Sequence, residues 1–585
     1  MPKKKLKNYK SPLSKIYGFT DIILIVFLIF DFGYEADYHP VVYNKSLVLL
    51  GIAFALIALN FARLHISKDL AINRMYKANL IVLISTVVIT LAVFWLGSYD
   101  SIHKIREVSY LIDIGLILYF LLRLTHLLRK LYTVYHNPLI LFIGSFIVIA
   151  LIGSFLLMLP NATTNGIQYI DALFTSTSAV CVTGLIVMDT ATDFTFLGQT
   201  IILTIIQLGG IGMLTFTSFF AFFFKGGTSF QEGLNVKDFM GTERLNDVLK
   251  MAVEVVIFTF GLELAGAAFI YYTIHDVPDI QNKLFFSIFH SISAFCNAGF
   301  SILSDGFYDK NLSHAYGFQW VIIYLIIFGG LGYNIVKNFI KYIKTLLLNL
   351  IIYRKFIQPV RVLTLNSKIV FVTTSILLFF GTVFIYIGET GNILKDHDTL
   401  LGKITTASFT SVTTRTAGFN TLDFADLTTP VILFVILLMW IGASPASTGG
   451  GIKTSTFALA TLNIFSLARG KEHIEIGTRK VNNQSVKRAF AIICISLIVI
   501  GNAILLLLIF EKDFSLIQIA FEIFSAYSTV GLSLGITGEL SDPSKYVIIF
   551  VMFFGRIGLL NLLIGMLRQI QHNFHQYPEE NILIN

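Results

Sequence analysis

Four short stretches of the sequence share a pattern of small and hydroxyl-bearing residues that leads to a single glycine. Each stretch is too short to cross a bilayer as a helix, and Leu or Phe follows its glycine. The stretches are DALFTSTSAVCVTGL (171–185), LFFSIFHSISAFCNAGF (284–300), ITTASFTSVTTRTAGFN (404–420) and IAFEIFSAYSTVGLS (519–533). They align without gaps on Gly184, Gly299, Gly418 and Gly531. One such stretch is explained as well by an interfacial helix or a loop, but four in register need a common explanation.

Stretches of this kind can supply backbone carbonyl oxygens at membrane depth. Non-helical backbone survives there only where it is buried in protein or lines water. A half-helix that dips in and returns as extended chain points successive carbonyls at a shared axis, and glycine suits the turning position. Four of them around one axis form stacked rings of oxygens that can replace the hydration shell of a potassium ion.

The composition predicts an all-α polytopic membrane protein around these stretches. The chain has 585 residues, of which 55% are hydrophobic and 13% are charged, whereas soluble proteins keep charged faces on their helices. Its apolar runs are continuous, unlike the alternating segments of an outer-membrane barrel. The net charge of +8 comes from Lys and Arg in short loops, so no nucleic-acid partner is expected. Cys181, Cys296 and Cys494 lie in apolar segments without metal-ligand spacing, which predicts neither a disulfide framework nor a zinc site.

Loop charges predict the orientation of the chain in the cell membrane. The first ten residues hold five lysines, the segment 337–368 holds seven Lys or Arg and no acid, and 160–198 holds no Lys or Arg. With 469–488 also net basic, the positive-inside rule places both termini in the cytoplasm after twelve crossings. No cleavable signal peptide is expected, because the apolar run after MPKKKLKNYK lacks a small-residue cleavage site. The candidate spans lie near 17–34, 46–63, 79–97, 108–124, 139–159, 197–224, 251–273, 317–340, 367–388, 430–464, 488–510 and 545–568.

From residue 138 onward, an order of span, short stretch and span repeats four times. We expect an N-terminal extension of four transmembrane helices, four pore repeats and a cytoplasmic tail, at 1–137, 138–225, 250–345, 366–468, 486–571 and 572–585. Four spans before a pore invite comparison with a voltage sensor, which needs arginines through the membrane. The stretch 109–122 has none, and Arg123, Arg129 and Lys130 follow at its predicted cytoplasmic end. Packing or dimer stabilisation is therefore the default expectation for the extension.

The four stretches, together with GASPASTGGGIKTST (442–456) and FFGRIGLLN (553–561), resemble the Trk/Ktr/HKT superfamily of potassium transporters. The bacterial Ktr-type membrane subunit is the most similar type, and the resemblance covers about residues 138–571. It implies potassium uptake, no enzymatic activity, no cofactor, a homodimer, and a cytoplasmic ring of nucleotide-binding regulatory subunits. It also implies that the ion binds backbone carbonyls at Val182, Thr183, Gly184, Asn297, Ala298, Gly299, Thr416, Ala417, Gly418, Thr529, Val530 and Gly531.

The helix of the third repeat is interrupted by IGASPASTGGGIKTS at 441–455. A nucleotide-binding loop needs contiguous Gly-Lys-Ser/Thr, and Ile452 separates Gly451 from Lys453. Such a segment can lie across a water-filled cavity below the filter, and in the similar family the corresponding loop is the gate. As a steric barrier, its removal would open the pore without altering selectivity; the alternative is a glycine-kinked helix that only packs. The expected gate residues are Gly442, Ser447, Thr448, Gly449, Gly450, Gly451, Lys453 and Arg556.

Charges inside the apolar segments need partners or water. Arg556 interrupts a long apolar run, so it should face the pore or a partner; the matching arginine of the similar family sits in the pore beside the loop. Arg415 would hinder cations if it faced the axis, so we expect it behind the filter, paired with Glu522. Asp171 is expected to cap its helix. His290 is expected to bond a neighbouring backbone group, with a proton sensor as the alternative.

Two other functions remain open from the sequence. In the wider family a serine in place of the first filter glycine goes with sodium transport, and here that position is Gly184. A sodium-selective or non-selective channel is the alternative within the class, with Na⁺ as an activating or coupled ion. A membrane enzyme would need clustered ionisable residues in the spans, and the sequence has none. The basic segments 337–368 and 469–488 are the expected docking faces for the regulator, or else the C-terminal RQIQHNFHQYPEE.

Overall fold

The computed structural model describes residue 33 and the ranges 39–66, 70–96, 111–119, 138–211, 248–309, 312–353 and 362–558, apart from single positions within them. These residues form a mainly helical protein. The helices, in chain order from α1 to α16, are His39–Ile66, Leu70–Leu96, Pro138–Leu157, Tyr169–Cys181, Phe196–Gly210, Val248–Thr273, Lys283–Cys296, Tyr316–Leu331, Tyr333–Tyr353, Leu365–Glu389, Leu400–Thr413, Thr429–Trp440, Thr454–Ala468, Asn483–Phe510, Leu516–Ser528 and Asp542–Ile557. Single 3₁₀ turns lie at Pro160–Ala162, Gly306–Tyr308, Ile393–Asp396 and Thr537–Glu539. The strands β1 (Glu475–Ile476) and β2 (Arg479–Lys480) pair antiparallel as a small hairpin.

Four sets of helices follow one another from α3 onward, and we call them the first to fourth units. They comprise α3–α5, α6–α8, α10–α13 and α14–α16, and in each the short second helix packs against the helix that precedes it. These short helices (α4, α7, α11 and α15) are buried along most of their length, as in α4 from Ile170 to Cys181. The long helices instead expose apolar side chains, for example Leu264 in α6 and Ile387 in α10. This inversion of the soluble pattern fits short helices enclosed by protein and long helices that face lipid.

Length and composition allow three of the described helices to cross a membrane, namely α10, α14 and the part of α6 from Val253 to Thr273. A bent pair, α8 with α9, passes the same test when it is taken together. The sequence predicts one span at 317–340. This prediction is wrong beyond α8, because the chain bends by 102° between α8 and α9. Gly332 makes the bend with a φ of 76°, and Lys337, Lys341 and Lys344 then recur at helical spacing along α9. A helix with a basic face favours the membrane surface over the bilayer core.

The expected capping role of Asp171 is also wrong. Gln168 is the N-cap residue of α4, and Asp171 lies inside the first turn of that helix. Its carboxylate accepts from the Lys545 ammonium of α16 at 2.7 Å. Both side chains are mostly buried, so this ion pair joins the first unit to the fourth.

The N-terminal helices α1 and α2 form a separate apolar cluster with residues 111–119. Leu49 and Leu56 of α1 pack with Leu83 of α2 and with Leu116, and the Asn60 amide donates to the Tyr119 hydroxyl at 3.4 Å. The C-terminal tail, Arg123, Arg129, Lys130 and the span expected at 17–34 lie outside the described residues, apart from residue 33.

Candidate ion pathway

The four short helices each lead into a residue with left-handed backbone. These residues, two positions before the aligned glycines, are Val182 (φ 56°), Asn297 (φ 59°), Thr416 (φ 75°) and Thr529 (φ 50°). A left-handed conformation costs a side-chain-bearing residue about 1–2 kcal/mol, and β-branched residues such as Val and Thr rarely adopt it. The same strained turn at four matching places indicates that the surrounding structure holds the chain in a required path.

The aligned glycines Gly184, Gly299, Gly418 and Gly531, here called the glycine ring, contact one another in cyclic order. All four have positive φ, from 71° to 92°. A Cβ atom on each would collide with the carbonyl oxygen of the residue before the glycine of the next unit, and the last unit meets the first. The carbonyls, in the order of the glycines, are those of Ala298, Ala417, Val530 and Thr183. The ring is therefore closed by backbone alone, with no room for a side chain.

Hydroxyl groups on the short helices hold the glycine ring in two different ways. The Ser178 and Ser525 hydroxyls accept from the N–H groups of Gly184 and Gly531, at 3.0 and 3.1 Å. The Ser293 and Thr413 hydroxyls instead donate to the carbonyls of Phe300 and Phe419, at 2.8 and 2.7 Å. The first pattern occurs where Leu follows the glycine, and the second where Phe follows it. Adjacent halves of the ring are thus held differently, although their sequences align.

A second set of glycines, which is not among the predicted site residues, lets the following helices approach the short helices closely. A Cβ on Gly209 or Gly329 would collide with the carbonyl oxygen of Val180 or Phe295, four residues before a ring glycine. Gly555 meets the Tyr527 carbonyl in the same way. The signal in the sequence is the repeated LGGIG (208–212), FGGLG (328–332) and FGRIG (554–558). In the last copy Arg556 takes the place of the second glycine.

Residues 441–453 form a non-helical loop between α12 and α13, as the sequence predicts. This loop packs against the base of the glycine ring. The Thr448 hydroxyl donates to the Phe295 carbonyl at 3.2 Å, and its N–H donates to Gly329 at 3.2 Å. Gly449 lies against the side chain of Thr416 and Gly450 against that of Thr529. The loop therefore contacts the left-handed turns of the third and fourth units directly.

Polar bonds within the loop and to α8 fix its shape. The Ser444 N–H donates to the Gly330 carbonyl at 3.0 Å, and its hydroxyl donates to Leu331 at 2.5 Å. The Ser447 hydroxyl donates to the Ser444 carbonyl at 2.7 Å. The Lys453 ammonium donates to the carbonyls of Gly449 and Gly450, so it bonds to its own loop. Gly451 lies against Ser528, which precedes the turn of the fourth unit.

Arg556 is buried and connects the loop to the first unit. Its guanidinium donates to the Thr448 carbonyl and, at 3.1 Å, to the Gly209 carbonyl. Both acceptors are backbone oxygens, which carry only partial negative charge, so the cation is held without being neutralised. A buried positive charge that bonds the loop can impose both an electrostatic and a steric barrier on a passing cation.

The ion pair expected between Arg415 and Glu522 does not form in the described structure. The Arg415 guanidinium donates to the Gly442 carbonyl at 3.1 Å, and Glu522 accepts from the Thr537 hydroxyl at 2.5 Å. The reason is geometric: Glu522 lies seven residues before the turn at Thr529 and bonds to Thr537 beyond it, whereas Arg415 directly precedes Thr416 at the loop. Arg415 thus joins the third short helix to the start of the loop.

Within the described ranges, no group of three or more His, Cys, Asp or Glu residues has the arrangement of a metal site. The oxygens that converge at the glycine ring are backbone carbonyls. Carbonyl oxygens without fixed charge suit a monovalent cation that must bind and then leave.

Sequence comparisons place this geometry in a known context. The TrkH family model, described as a cation transport protein, matches residues 117–576. The Ktr system potassium uptake protein B of Vibrio alginolyticus is 36% identical over 447 residues, which cover 75% of this chain and 93% of that protein. The potassium/sodium uptake protein NtpJ of Enterococcus hirae is 32% identical over 458 residues, or 77% of this chain and 97% of that protein.

A solved structure supports the same fold. The potassium transporter TrkH of Vibrio parahaemolyticus superposes with a TM-score of 0.58 at 17% sequence identity. The match covers 84% of this chain and 98% of that one. At this identity the similarity concerns the fold alone.

Proposed function

The chain belongs to the TrkH family of cation transport proteins, and we propose that it takes up potassium through the glycine ring. It is a multi-pass membrane transporter and not an enzyme. The single observation that carries the proposal is the closed cycle of contacts from each ring glycine to a carbonyl of the next unit. Backbone oxygens around one axis replace the hydration shell of a potassium ion.

In this proposal the four units are pore repeats of one selectivity filter. The ion-binding carbonyls belong to the ring glycines and to the two residues before each, from Val182 to Gly184 in the first unit and at the matching positions of the others. The boundaries 138–225, 250–345, 366–468 and 486–571 delimit these repeats. The segment 1–137 is an extension of four membrane helices, and both termini lie in the cytoplasm.

Control of the flux comes from the 441–453 loop and Arg556. The loop contacts Thr416 and Thr529 at the inner end of the ring, and Arg556 bonds the loop to the first unit. Displacing the loop therefore has to break the bonds of Thr448 and Arg556 and expose the filter to the cytoplasmic side. This supports a gate over a glycine kink, which would need no such set of bonds to other units.

The transporter works as a homodimer with a cytoplasmic ring of nucleotide-binding regulatory subunits in the cell membrane. The name of the Vibrio alginolyticus relative, a Ktr system protein B, supports a multi-component system. The basic face of α9 and the net basic segment 469–488, which contains the β1–β2 hairpin, offer the regulator a surface with an excess of positive charge.

Sodium is the second candidate ion. The relative named as a potassium/sodium uptake protein favours it, and Gly184 at the first filter position favours potassium.

Uptake measurements in cells that cannot grow at low potassium test the proposal. Expression of the full chain should restore growth and potassium uptake, with and without added sodium. Uptake of sodium alone, or no uptake by protein that reaches the membrane, would contradict a potassium filter. Gly531→Ser should abolish the preference for potassium, whereas Gly470→Ser is the matched control. Gly470 also has positive φ, at 70°, but no neighbour lies within 4 Å of the added Cβ.

A further inference from the structure

The four units have different residues at the position nine residues before the ring glycine, although their sequences align there without gaps. It is occupied by Thr175, His290, Phe409 and Glu522, and all four side chains are fully buried. Two of them are ionisable groups inside short helices, where burial without hydrogen bonds is costly. We propose that His290 and Glu522 are positioning residues, which hold the outer end of the filter on two opposite sides of the pore.

His290 connects its short helix to the chain that leaves the second filter turn. One ring nitrogen, Nδ1, lies 2.9 Å from the Phe286 carbonyl oxygen, and Nε2 lies 3.0 Å from the Ser301 hydroxyl. A carbonyl only accepts, so Nδ1 carries the proton and Nε2 accepts from Ser301. The Ser301 oxygen in turn accepts from the Leu303 N–H at 3.1 Å. His290 thus fixes a residue two positions beyond Gly299.

Glu522 makes the corresponding connection in the fourth unit. Thr537 donates to its carboxylate at 2.5 Å, and the Thr537 and Ser533 hydroxyls are 3.0 Å apart. Ser533 stands two positions beyond Gly531, as Ser301 does beyond Gly299. The two connections use different chemistry, yet each joins the same helix position to the same filter position.

In the first and third units, no side-chain hydrogen bond joins these two positions among the described residues. In the third unit the Phe307 N–H instead donates to the Asn420 carbonyl at 3.0 Å. Two positions beyond their ring glycines stand Ile186 and Asn420. The Thr175 hydroxyl has no hydrogen-bond partner in the described part of the chain, and the Phe409 ring packs 6.2 Å from the Phe307 ring. Since the ring glycines contact one another in the order of the units, the second and fourth units lie across the pore from each other.

Side-chain hydrogen bonds therefore tie the filter to its short helix in the second and fourth units, and no such side-chain bond is present among the described residues of the first and third units. In a filter that discriminates by cavity size, the preference for potassium over sodium depends on how far the coordinating oxygens can move toward a smaller ion. Hydrogen bonds at His290 and Glu522 resist that movement in two of the four units, because they hold Ser301 and Ser533, each two positions beyond a ring glycine. The inference rests on the proposed filter and names two residues outside it that set its selectivity.

Vesicles that contain the purified full-length protein test the inference through the ratio of potassium to sodium flux. His290→Leu and Glu522→Leu should each lower the ratio by about threefold or more, since one side of the ring gains freedom. Ser301→Ala and Ser533→Ala remove only the hydroxyls on the filter side and should lower it in the same direction. These small changes keep the test valid if the leucine variants fail to fold. Thr175→Val and Phe409→Leu are matched controls, at the same position of the two units that lack the connection, and should leave the ratio unchanged.

Glu522→Gln separates positioning from charge. Its amide oxygen can still accept from Thr537, so the ratio should stay near that of the native protein. A Gln variant as impaired as Glu522→Leu would overturn the positioning role, and so would unchanged ratios in folded leucine and serine variants. A native protein with no preference for potassium would instead contradict the proposed function itself.

Discussion

The glycine ring and the 441–453 loop are adjacent in the molecule but are built on opposite principles. The ring takes one glycine from each unit, and every contact that closes it is between backbone atoms. The loop comes from the third unit alone and is held by bonds to residues of other units, such as Phe295, Gly329 and Arg556. A structure of repeated backbone contacts tolerates no side chain, whereas a structure held by a few polar bonds can be released.

The two regions are also in direct contact, so the proposed gate and the proposed filter should influence each other. Gly449 and Gly450 lie against Thr416 and Thr529, whose left-handed turns precede the ring glycines of the third and fourth units. Arg415 adds a bond from the residue before Thr416 to the Gly442 carbonyl. A loop that leaves its position therefore removes support from the inner end of two filter strands. The sequence alone predicts a barrier that can be removed without any effect on selectivity.

The largest effect is expected from a side chain in the ring. Serine at any one of Gly184, Gly299, Gly418 or Gly531 should lower the potassium-to-sodium flux ratio by roughly tenfold or more, since it displaces a carbonyl and disfavours the required φ. Competition between the two ions in vesicles measures the ratio independently of protein yield. The comparison predicts similar losses at all four positions, because each glycine meets the same kind of neighbour. Normal selectivity in all four folded variants would refute the ring as a filter.

Deletion of Ser447 to Gly450 should raise potassium flux several-fold, because it removes the segment that covers the inner end of the ring. The same deletion removes the contacts of Gly449 and Gly450, so the flux ratio should also fall, though less than in a ring variant. Flux per folded transporter is the quantity to measure. A well-folded deletion variant that conducts no faster than the native protein would show that the loop is not the gate.

Arg556→Ala should act in the same direction with a smaller effect, because it removes the bond to Thr448 and a buried positive charge. Combined with the deletion, it should add little, since both changes disrupt one set of contacts. Fully additive effects on flux would separate the arginine from the loop.

The contrast also explains what the sequence could predict. The sequence predicts the ring from four copies of one pattern, each of which ends in glycine. The pattern recurs because each of the four positions needs a positive φ and has no room for a side chain. The break at 441–455 is visible for a similar reason, since glycine and serine interrupt an apolar run. Both signals are local, and local signals survive in a single sequence.

Partners across the fold leave no such signal. Arg415 and Glu522 carry opposite charges in adjacent units, so the sequence predicts an ion pair. A buried arginine can equally well donate to a backbone carbonyl such as that of Gly442, and the path of the chain determines which acceptor is within reach. Asp171 likewise has the composition of a cap, yet Lys545, far along the chain, is its partner. The sequence does not reveal the bend at Gly332, because the apolar run continues into α9 and only the lysine spacing distinguishes the two helices.

The Asp171–Lys545 pair tests whether the ring needs side chains to close between the first and fourth units. Lys545→Ala should destabilise the protein by about 1–3 kcal/mol, because it leaves a mostly buried carboxylate without its cation. Asp171→Asn with Lys545→Gln should recover part of that loss, since neither charge then remains. Thermal unfolding in detergent measures the change, and the flux ratio should stay nearly normal. A large loss of selectivity in a folded variant would show that ring closure depends on this pair as well as on backbone.

The smallest effect is expected at the outer connection before α11, where His397 lies far from the ring. Its ring nitrogens lie 3.0 Å from the Tyr316 hydroxyl and 3.1 Å from the Thr406 hydroxyl. Burial lowers the pKa of His397 and the positive charge of nearby His314 lowers it further, with Lys403 acting in the same direction and Asp396 and Asp398 opposing.

Because the folded protein disfavours the charged form of His397, the unfolded chain binds more protons as the pH falls through the ordinary histidine pKa of about 6.5. The stability that the neutral ring contributes is therefore complete above that value and declines below it. The midpoint temperature of thermal unfolding in detergent should decrease when the pH is lowered from 7.5 to 5.5. His397→Gln should reduce this dependence on pH and leave the flux ratio unchanged. If the unfolding midpoint of His397→Gln depends on pH as strongly as that of the native protein, the pH dependence belongs to another group. A changed flux ratio would mean that selectivity depends on the connection at His397 as well as on the glycine ring and the loop.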